Sequence, residues 1–157
     1  MNPGEAAAPS GGAGAAHPQR QGGPRQGGAR SGGPALEAMY QFLLWLIPTV
    51  EKFPRSQKFL LGDRIQLEAQ QVLDSLISAT YTRERGTHLR AANLGLEKLR
   101  FGMRLAKDLR HLDFKAYEHA ARRIDEVGRM VGGWLRSDRA AFAAQASGPE
   151  VSDAAPA

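Results

Sequence analysis

Apolar residues recur at helical spacing in four stretches of the chain. The stretches predict helices over about 36–52, 56–81, 88–110 and 114–137. Pro48 lies inside the first stretch and predicts a kink or a late restart there. No stretch shows the alternation that is typical of a strand. Because three of the helices are long, amphipathic and joined by short turns, we expect an all-α fold, an antiparallel four-helix bundle.

The third and fourth predicted helices carry more apolar residues than one core-facing stripe needs. The expected core stripes are Leu89, Ala92, Leu96, Leu99, Met103 and Ala106 on the third helix, and Phe114, Tyr117, Ala121, Ile124, Gly128, Val131 and Leu135 on the fourth. A stripe about 100° wide is enough for a bundle core. Outside these stripes lie Leu94, Phe101, Leu105 and Leu112 on the third helix, and Val127, Met130 and Trp134 on the fourth.

These additional residues predict a subunit interface, and a thick bundle core is the alternative. Gly128 and Gly132 have no side chain and would allow close backbone approach at such an interface. The candidate interface residues are Leu94, Phe101, Leu105, Leu112 and Trp134.

The ends of the chain differ in composition from its middle. Residues 1–34 contain ten Gly, five Pro and no large apolar residue after Met1, so we expect a disordered arm. Within it a five-residue repeat, QRQGG, PRQGG and ARSGG at 19–33, spaces three arginines evenly. The repeat is interpreted as a flexible linker, with an RGG-like arm that contacts RNA as the alternative. We predict the bundle over 35–138 and a flexible C-terminal tail over 139–157, with a helical start to the tail left open.

Positive charge concentrates on the third predicted helix. Residues 87–111 carry six Lys and Arg against two acidic residues, whereas residues 36–82 carry four against five. On the fourth helix, by contrast, Glu118–Arg122 and Asp125–Arg129 have the spacing of internal ion pairs. Helical spacing places four side chains of the third helix in one narrow arc, which we name the basic ladder: Arg100, Arg104, Lys107 and His111.

The basic ladder and its neighbours predict binding of a nucleic acid or a protein partner, and a solvated helix face is the alternative. A sequence pI of about 10 is compatible with a polyanionic partner but does not identify one. The candidate binding residues are Arg90, Arg100, Arg104, Lys107, Arg110 and His111.

The sequence offers no candidate active site. Its four histidines share no metal-ligand spacing with carboxylates, and a phosphate-binding glycine loop is missing. The chain has no cysteine, which excludes a disulfide framework and a thiol nucleophile. Its longest apolar run, FLLWLIP at 42–48, is too short to span a bilayer, and its N-terminus does not read as a signal peptide. We therefore expect a non-catalytic cytoplasmic protein with no cofactor, no metal and no membrane partner.

Two segments of the predicted bundle carry a family resemblance. AANLGLEKLRFGMRL at 91–105 and IDEVGRMVGGWLR at 124–136 resemble the accessory variability determinant (Avd) family of diversity-generating retroelements. That four-helix-bundle family is related to the proteins encoded by intervening sequences in bacterial 23S rRNA genes, and FPRSQKFLLGDRI at 53–65 suits this wider family as the start of the second helix. The resemblance covers about 36–137. Gly102 departs from it, because a bulky residue is expected there.

The resemblance implies an assembly and a set of partners. It implies a homopentameric barrel with a basic surface that binds the retroelement's reverse transcriptase and its template RNA, in support of mutagenic cDNA synthesis. Arg100 and Arg104 fall on the matching L-R-F-x-x-R positions. The alternative is a structural four-helix-bundle oligomer of the intervening-sequence type with no nucleic-acid role.

Overall fold

Four long helices surround one apolar core. The computed structural model describes residues 33–148. Helix α1 spans Gly33–Val50, α2 spans Asp63–Tyr81, α3 spans Arg85–Asp108 and α4 spans Phe114–Ala146. Each helix packs on the next one in the chain, and α4 packs back on α1. Because short connections make consecutive helices antiparallel, the arrangement is that of an antiparallel bundle; the all-helical prediction is confirmed, with no strand in the described part of the chain.

Helix α3 presents its predicted stripe to the core and approaches α2 closely. A Cβ atom added at Gly95 would lie 2.5 Å from Cγ2 of Val72, and one added at Gly102 would lie 3.1 Å from Cγ1 of Ile65. Both glycines therefore allow the two helices to pack closely. The confirmed core residues of α3 are Leu89, Ala92, Leu96, Leu99, Met103 and Ala106.

The buried stripe of α4 differs from the predicted one. Val127 and Trp134 lie in the core, whereas Phe114 is exposed. This rotation buries large apolar side chains in place of Gly128, and burial of larger apolar side chains contributes more free energy. The prediction of a second apolar face on α4 is therefore wrong, as is the assignment of Trp134, only 5% exposed, to an outer interface. The observed stripe is Ala120, Ile124, Val127, Val131 and Trp134.

The turn between α3 and α4 carries Leu112 into the core. Helix α3 ends at Asp108, and Arg110 adopts a left-handed backbone conformation with φ of 63°. The chain therefore reverses before Leu112, which is 6% exposed, so its assignment to an outer face is wrong. Asp113 then caps α4, because its side chain accepts a hydrogen bond of 2.7 Å from the backbone N–H of Ala116.

An irregular helical segment precedes α2. A single turn at Arg55–Gln57 leads into a π-helical segment at Lys58–Gly62. Such segments are rare and occur frequently at functional sites. This one leaves two large apolar side chains, Phe59 and Leu60, exposed to solvent.

Helix α1 continues through Pro48 to Val50, which excludes the predicted late restart. Proline has no backbone N–H, so the carbonyl of Leu44 lacks its helical donor. Both Leu44 and Pro48 are exposed, and water can therefore satisfy that carbonyl.

Helix α4 is longer than predicted and extends beyond the bundle. Its 33 residues correspond to about 50 Å, against about 36 Å for the 24 residues of α3. Residues 139–146, predicted as part of the tail, are helical, consistent with their high content of alanine, the best helix former. Most of the predicted arm and the remainder of the tail, residues 1–32 and 149–157, lie outside the described residues.

Candidate functional site

Part of the basic ladder lies along the side of α3 that faces α4. Arg100 reaches Asp125 of α4, with 2.9 Å between Nη2 and Oδ1. Farther along α3, the Nζ atom of Lys107 lies 4.9 Å from the ring centre of Tyr117 of α4, a cation–π contact. Arg104 lies between these two residues in sequence and is exposed to solvent. Arg100 and Lys107 therefore lie at the boundary between the two helices.

Ion pairs within a helix neutralise part of this surface. Asp108 lies 3.7 Å from Nε of Arg104 and 3.1 Å from Nζ of Lys107, so one carboxylate serves two cations. On α4 the predicted pair between Glu118 and Arg122 forms at 2.8 Å. These pairs are largely exposed, and such pairs contribute at most about 1 kcal/mol. The main effect of these pairs is therefore to lower the net positive charge of this surface, and their contribution to the stability of the fold is small.

Arg100 engages two carboxylates and thereby changes the charge of α4. It pairs with Glu97 of its own helix and with Asp125 across the helix boundary. The predicted pair between Asp125 and Arg129 is therefore wrong, because Asp125 is directed toward α3. Within residues 33–148, no carboxylate lies within 4.0 Å of the Arg129 guanidinium.

Two glycines of α4 lie next to guanidinium groups, and Gly128 makes room for one of them. A Cβ atom added at Gly128 would lie 3.1 Å from Nη2 of Arg100, and one added at Gly132 would lie 3.7 Å from Nη1 of Arg136. Arg129 lies beside them on α4. Together they border a groove of about 520 Å³, here named the arginine groove, which is lined by Asn93, Glu97, Arg100, Asp125, Gly128, Arg129, Gly132 and Arg136.

The arginine groove was only partly predictable. Arg100 was a candidate from its spacing, but Arg129 and Arg136 were not. Arg129 and Arg136 are separated by seven residues, or two helical turns, and this spacing indicates that both lie on one face of α4. Gly128 and Gly132, predicted to allow approach of another subunit, instead lie next to guanidinium groups of the same chain.

Three of the predicted binding residues lie elsewhere. His111 lies in the turn after α3, with its ring centre 5.9 Å from that of Phe53. Arg110 lies in the same turn, at the left-handed position. Arg90 lies near the start of α3, where it donates a hydrogen bond of 3.3 Å to the hydroxyl of Thr87. The structure therefore does not bring all six predicted residues into one site.

A second groove lies between α3, α2 and the π-helical segment. Leu94, Phe101 and Leu105 are 58%, 67% and 48% exposed, as expected for an outer face of α3. Leu60 of the π-helical segment borders the same groove of about 800 Å³, whose floor includes Gly102. The glycine that departs from the family resemblance thus lies in the lining of the groove, next to Phe101. We name this surface the apolar groove.

The described residues contain neither a metal-binding cluster nor a membrane-spanning helix. Across residues 33–148, no group of three or more His, Cys, Asp or Glu side chains is placed to hold a metal ion. None of the described helices is long and apolar enough to cross a membrane.

Comparison with known proteins gives one match. A family model described as bAvd-like matches residues 35–138, about two-thirds of the chain and nearly the whole of the bundle. No curated protein and no solved structure matches the sequence.

Proposed function

We propose the following function because the chain belongs to the bAvd-like family, the bacterial accessory variability determinants. The family is accessory and non-catalytic. The chain acts as an accessory protein of a diversity-generating retroelement: it binds the element's reverse transcriptase and template RNA in the cytoplasm and supports mutagenic cDNA synthesis. The observation that carries this proposal is the family match over residues 35–138, which includes helix-forming residues of all four helices.

Two surfaces of α3 support the proposal. The apolar groove exposes several large side chains together, and contiguous exposed apolar surface is typical of protein–protein interfaces. We assign Leu94, Phe101 and Leu105 to contacts between copies of the chain in a homopentamer. The basic ladder and the arginine groove lie on another side of α3, so they stay accessible to reverse transcriptase or RNA in this arrangement.

Co-purification tests the proposed partners. The chain is co-expressed with the reverse transcriptase and template RNA of its own retroelement, and a tag on the chain is used for capture. Both partners are expected in the eluate, with the RNA detected by reverse transcription and PCR. Light scattering of the chain alone should give about 85 kDa, since each chain has a mass of 17.0 kDa. Capture of neither partner would contradict the proposal.

The second candidate is a structural bundle oligomer without a nucleic-acid role. The neutralisation of Arg100, Arg104 and Lys107 by nearby carboxylates favours it, because a fully paired surface attracts polyanions weakly. An oligomer that captures neither reverse transcriptase nor RNA would support this alternative. A monodisperse monomer of 17.0 kDa would contradict both candidates.

A further inference from the structure

The arginine groove differs from the apolar groove in the chemistry of its lining. It has no apolar side chain: charged groups, the amide of Asn93 and two glycines line it. Protein interfaces have a desolvated apolar centre. Phosphate backbones, by contrast, are bound by guanidinium groups, amides and backbone N–H groups. This lining therefore favours a nucleic acid over a protein partner.

We propose that the arginine groove binds the phosphate backbone of RNA through Arg129 and Arg136, and that Gly128 keeps Arg129 available by directing Asp125 to Arg100. This inference rests on the proposed function and names the site at which the RNA is held. Arg129 and Arg136 both line the groove and are separated by about 10 Å along α4. They therefore contact different phosphates of the strand.

Both carboxylates of the groove are paired with an arginine. Glu97 and Asp125 both pair with Arg100, which lies between them and contacts α3 and α4 at once. Arg100 therefore acts as a positioning residue, since it offsets part of the negative charge that would repel a phosphate. Arg129 and Arg136 remain exposed and have no carboxylate within 4.0 Å among residues 33–148.

Gly128 leaves space for the Arg100 guanidinium to engage Asp125. Asp125 precedes Arg129 by four residues, the favourable orientation for an ion pair within one helix. The Arg100 guanidinium competes for Asp125, and it reaches the carboxylate across the backbone of Gly128. A side chain at residue 128 would crowd Nη2 of Arg100, because the added Cβ would lie 3.1 Å away. Arg100 would have to shift by a few tenths of an ångström, which weakens its contact with Asp125 and favours the competing pair between Asp125 and Arg129.

Substitution of the two proposed phosphate-binding arginines tests the site. The full-length variants R129Q and R136Q are titrated into a fluorescently labelled single-stranded RNA at several salt concentrations. Each is expected to bind more weakly and to flatten the slope of log K against log salt by about 0.7, the value for one lost phosphate contact on a single strand. R122Q is the matched control, because it removes the same charge from α4 at a residue paired with Glu118, outside the groove.

A charge-neutral variant tests the role of Gly128. G128A changes no charge, yet it is expected to weaken RNA binding, by less than R129Q does, because an exposed carboxylate only competes with the phosphate for Arg129. Adding D125N removes the carboxylate that would neutralise Arg129, so G128A is expected to have no effect on RNA affinity in a D125N background: the double variant G128A/D125N should bind as tightly as D125N. If the alanine only blocked the groove, the double variant would bind more weakly than D125N, and the role of Gly128 would be refuted.

The outcomes separate this inference from the proposed function. Retained capture of reverse transcriptase by R129Q and R136Q, together with weakened RNA binding, supports the inference. RNA binding by R129Q and R136Q equal to that of R122Q overturns the inference and leaves the groove without a partner. Loss of reverse transcriptase capture alone also overturns it, and assigns the groove to the enzyme. A wild-type chain that captures reverse transcriptase but binds no RNA also overturns it. If the wild-type chain captures neither, the proposed function fails.

Discussion

Replacing Gly95 with alanine is expected to destabilise the bundle, although alanine is the better helix former. The added Cβ would lie 2.5 Å from Cγ2 of Val72, a distance that real Cβ contacts do not show. Val72 is 1% exposed and held in the core, so it cannot move away without displacing its neighbours. Such overpacking costs about 1–3 kcal/mol, and alanine recovers up to about 1 kcal/mol of helix propensity. The expected net loss is about 1 kcal/mol.

The matched control is G133A, which is expected to stabilise the protein. A Cβ at Gly133 would have its nearest neighbour at 3.9 Å, on the flexible side chain of Arg136, so only the propensity gain of up to about 1 kcal/mol remains. Both variants are unfolded with urea and followed by circular dichroism at one protomer concentration, because association would shift the midpoint. A G95A protein as stable as wild type would refute the close α2–α3 packing.

Three further outcomes are expected. D113A should lower the free energy of unfolding by about 1 kcal/mol in urea titration, since the helix cap of 2.7 Å is lost; unchanged stability would contradict that cap. L94S/F101S should lower the mass from light scattering toward 17.0 kDa with unchanged helicity, whereas W134A should lose thermal stability because it opens the core. Removal of residues 1–32, which leaves α1 complete, should shift the thermal midpoint little, and a fall of many degrees would contradict the linker interpretation.

The helices and the core face of α3 could be predicted from the sequence because one periodicity governs both. A heptad of apolar residues on α3 faces the core in any antiparallel bundle, whatever the neighbouring helices are. The end of α3 was less predictable. A helical extrapolation to Leu112 fails because the chain reverses at Arg110, and a left-handed residue other than glycine has no clear sequence signal.

The core face of α4 could not be predicted from periodicity, because two overlapping stripes share Ile124 and Val131. One stripe adds Gly128, and the other adds Val127 and Trp134. Periodicity alone treats these stripes as equal, whereas packing favours the stripe with the larger apolar side chains. The observed choice also places Gly128 at the helix boundary, where it contributes to the arginine groove. The wrong core face predicted for α4 and the failure to predict the arginine groove therefore have the same cause, the choice between these two stripes.

The partner of Asp125 shows why charge counted along a sequence does not locate a binding surface. A carboxylate four residues before Arg129 gains about 0.2–0.5 kcal/mol from that pairing in an isolated helix. The alternative pairing with Arg100 depends on how α3 and α4 are aligned, which no pattern within one helix specifies. In that pairing one guanidinium contacts two carboxylates, because Arg100 also pairs with Glu97. Along the sequence the positive excess belongs to α3. Among residues 33–148, Arg100 of α3 is paired with two carboxylates, whereas Arg129 of α4 has no carboxylate within 4.0 Å.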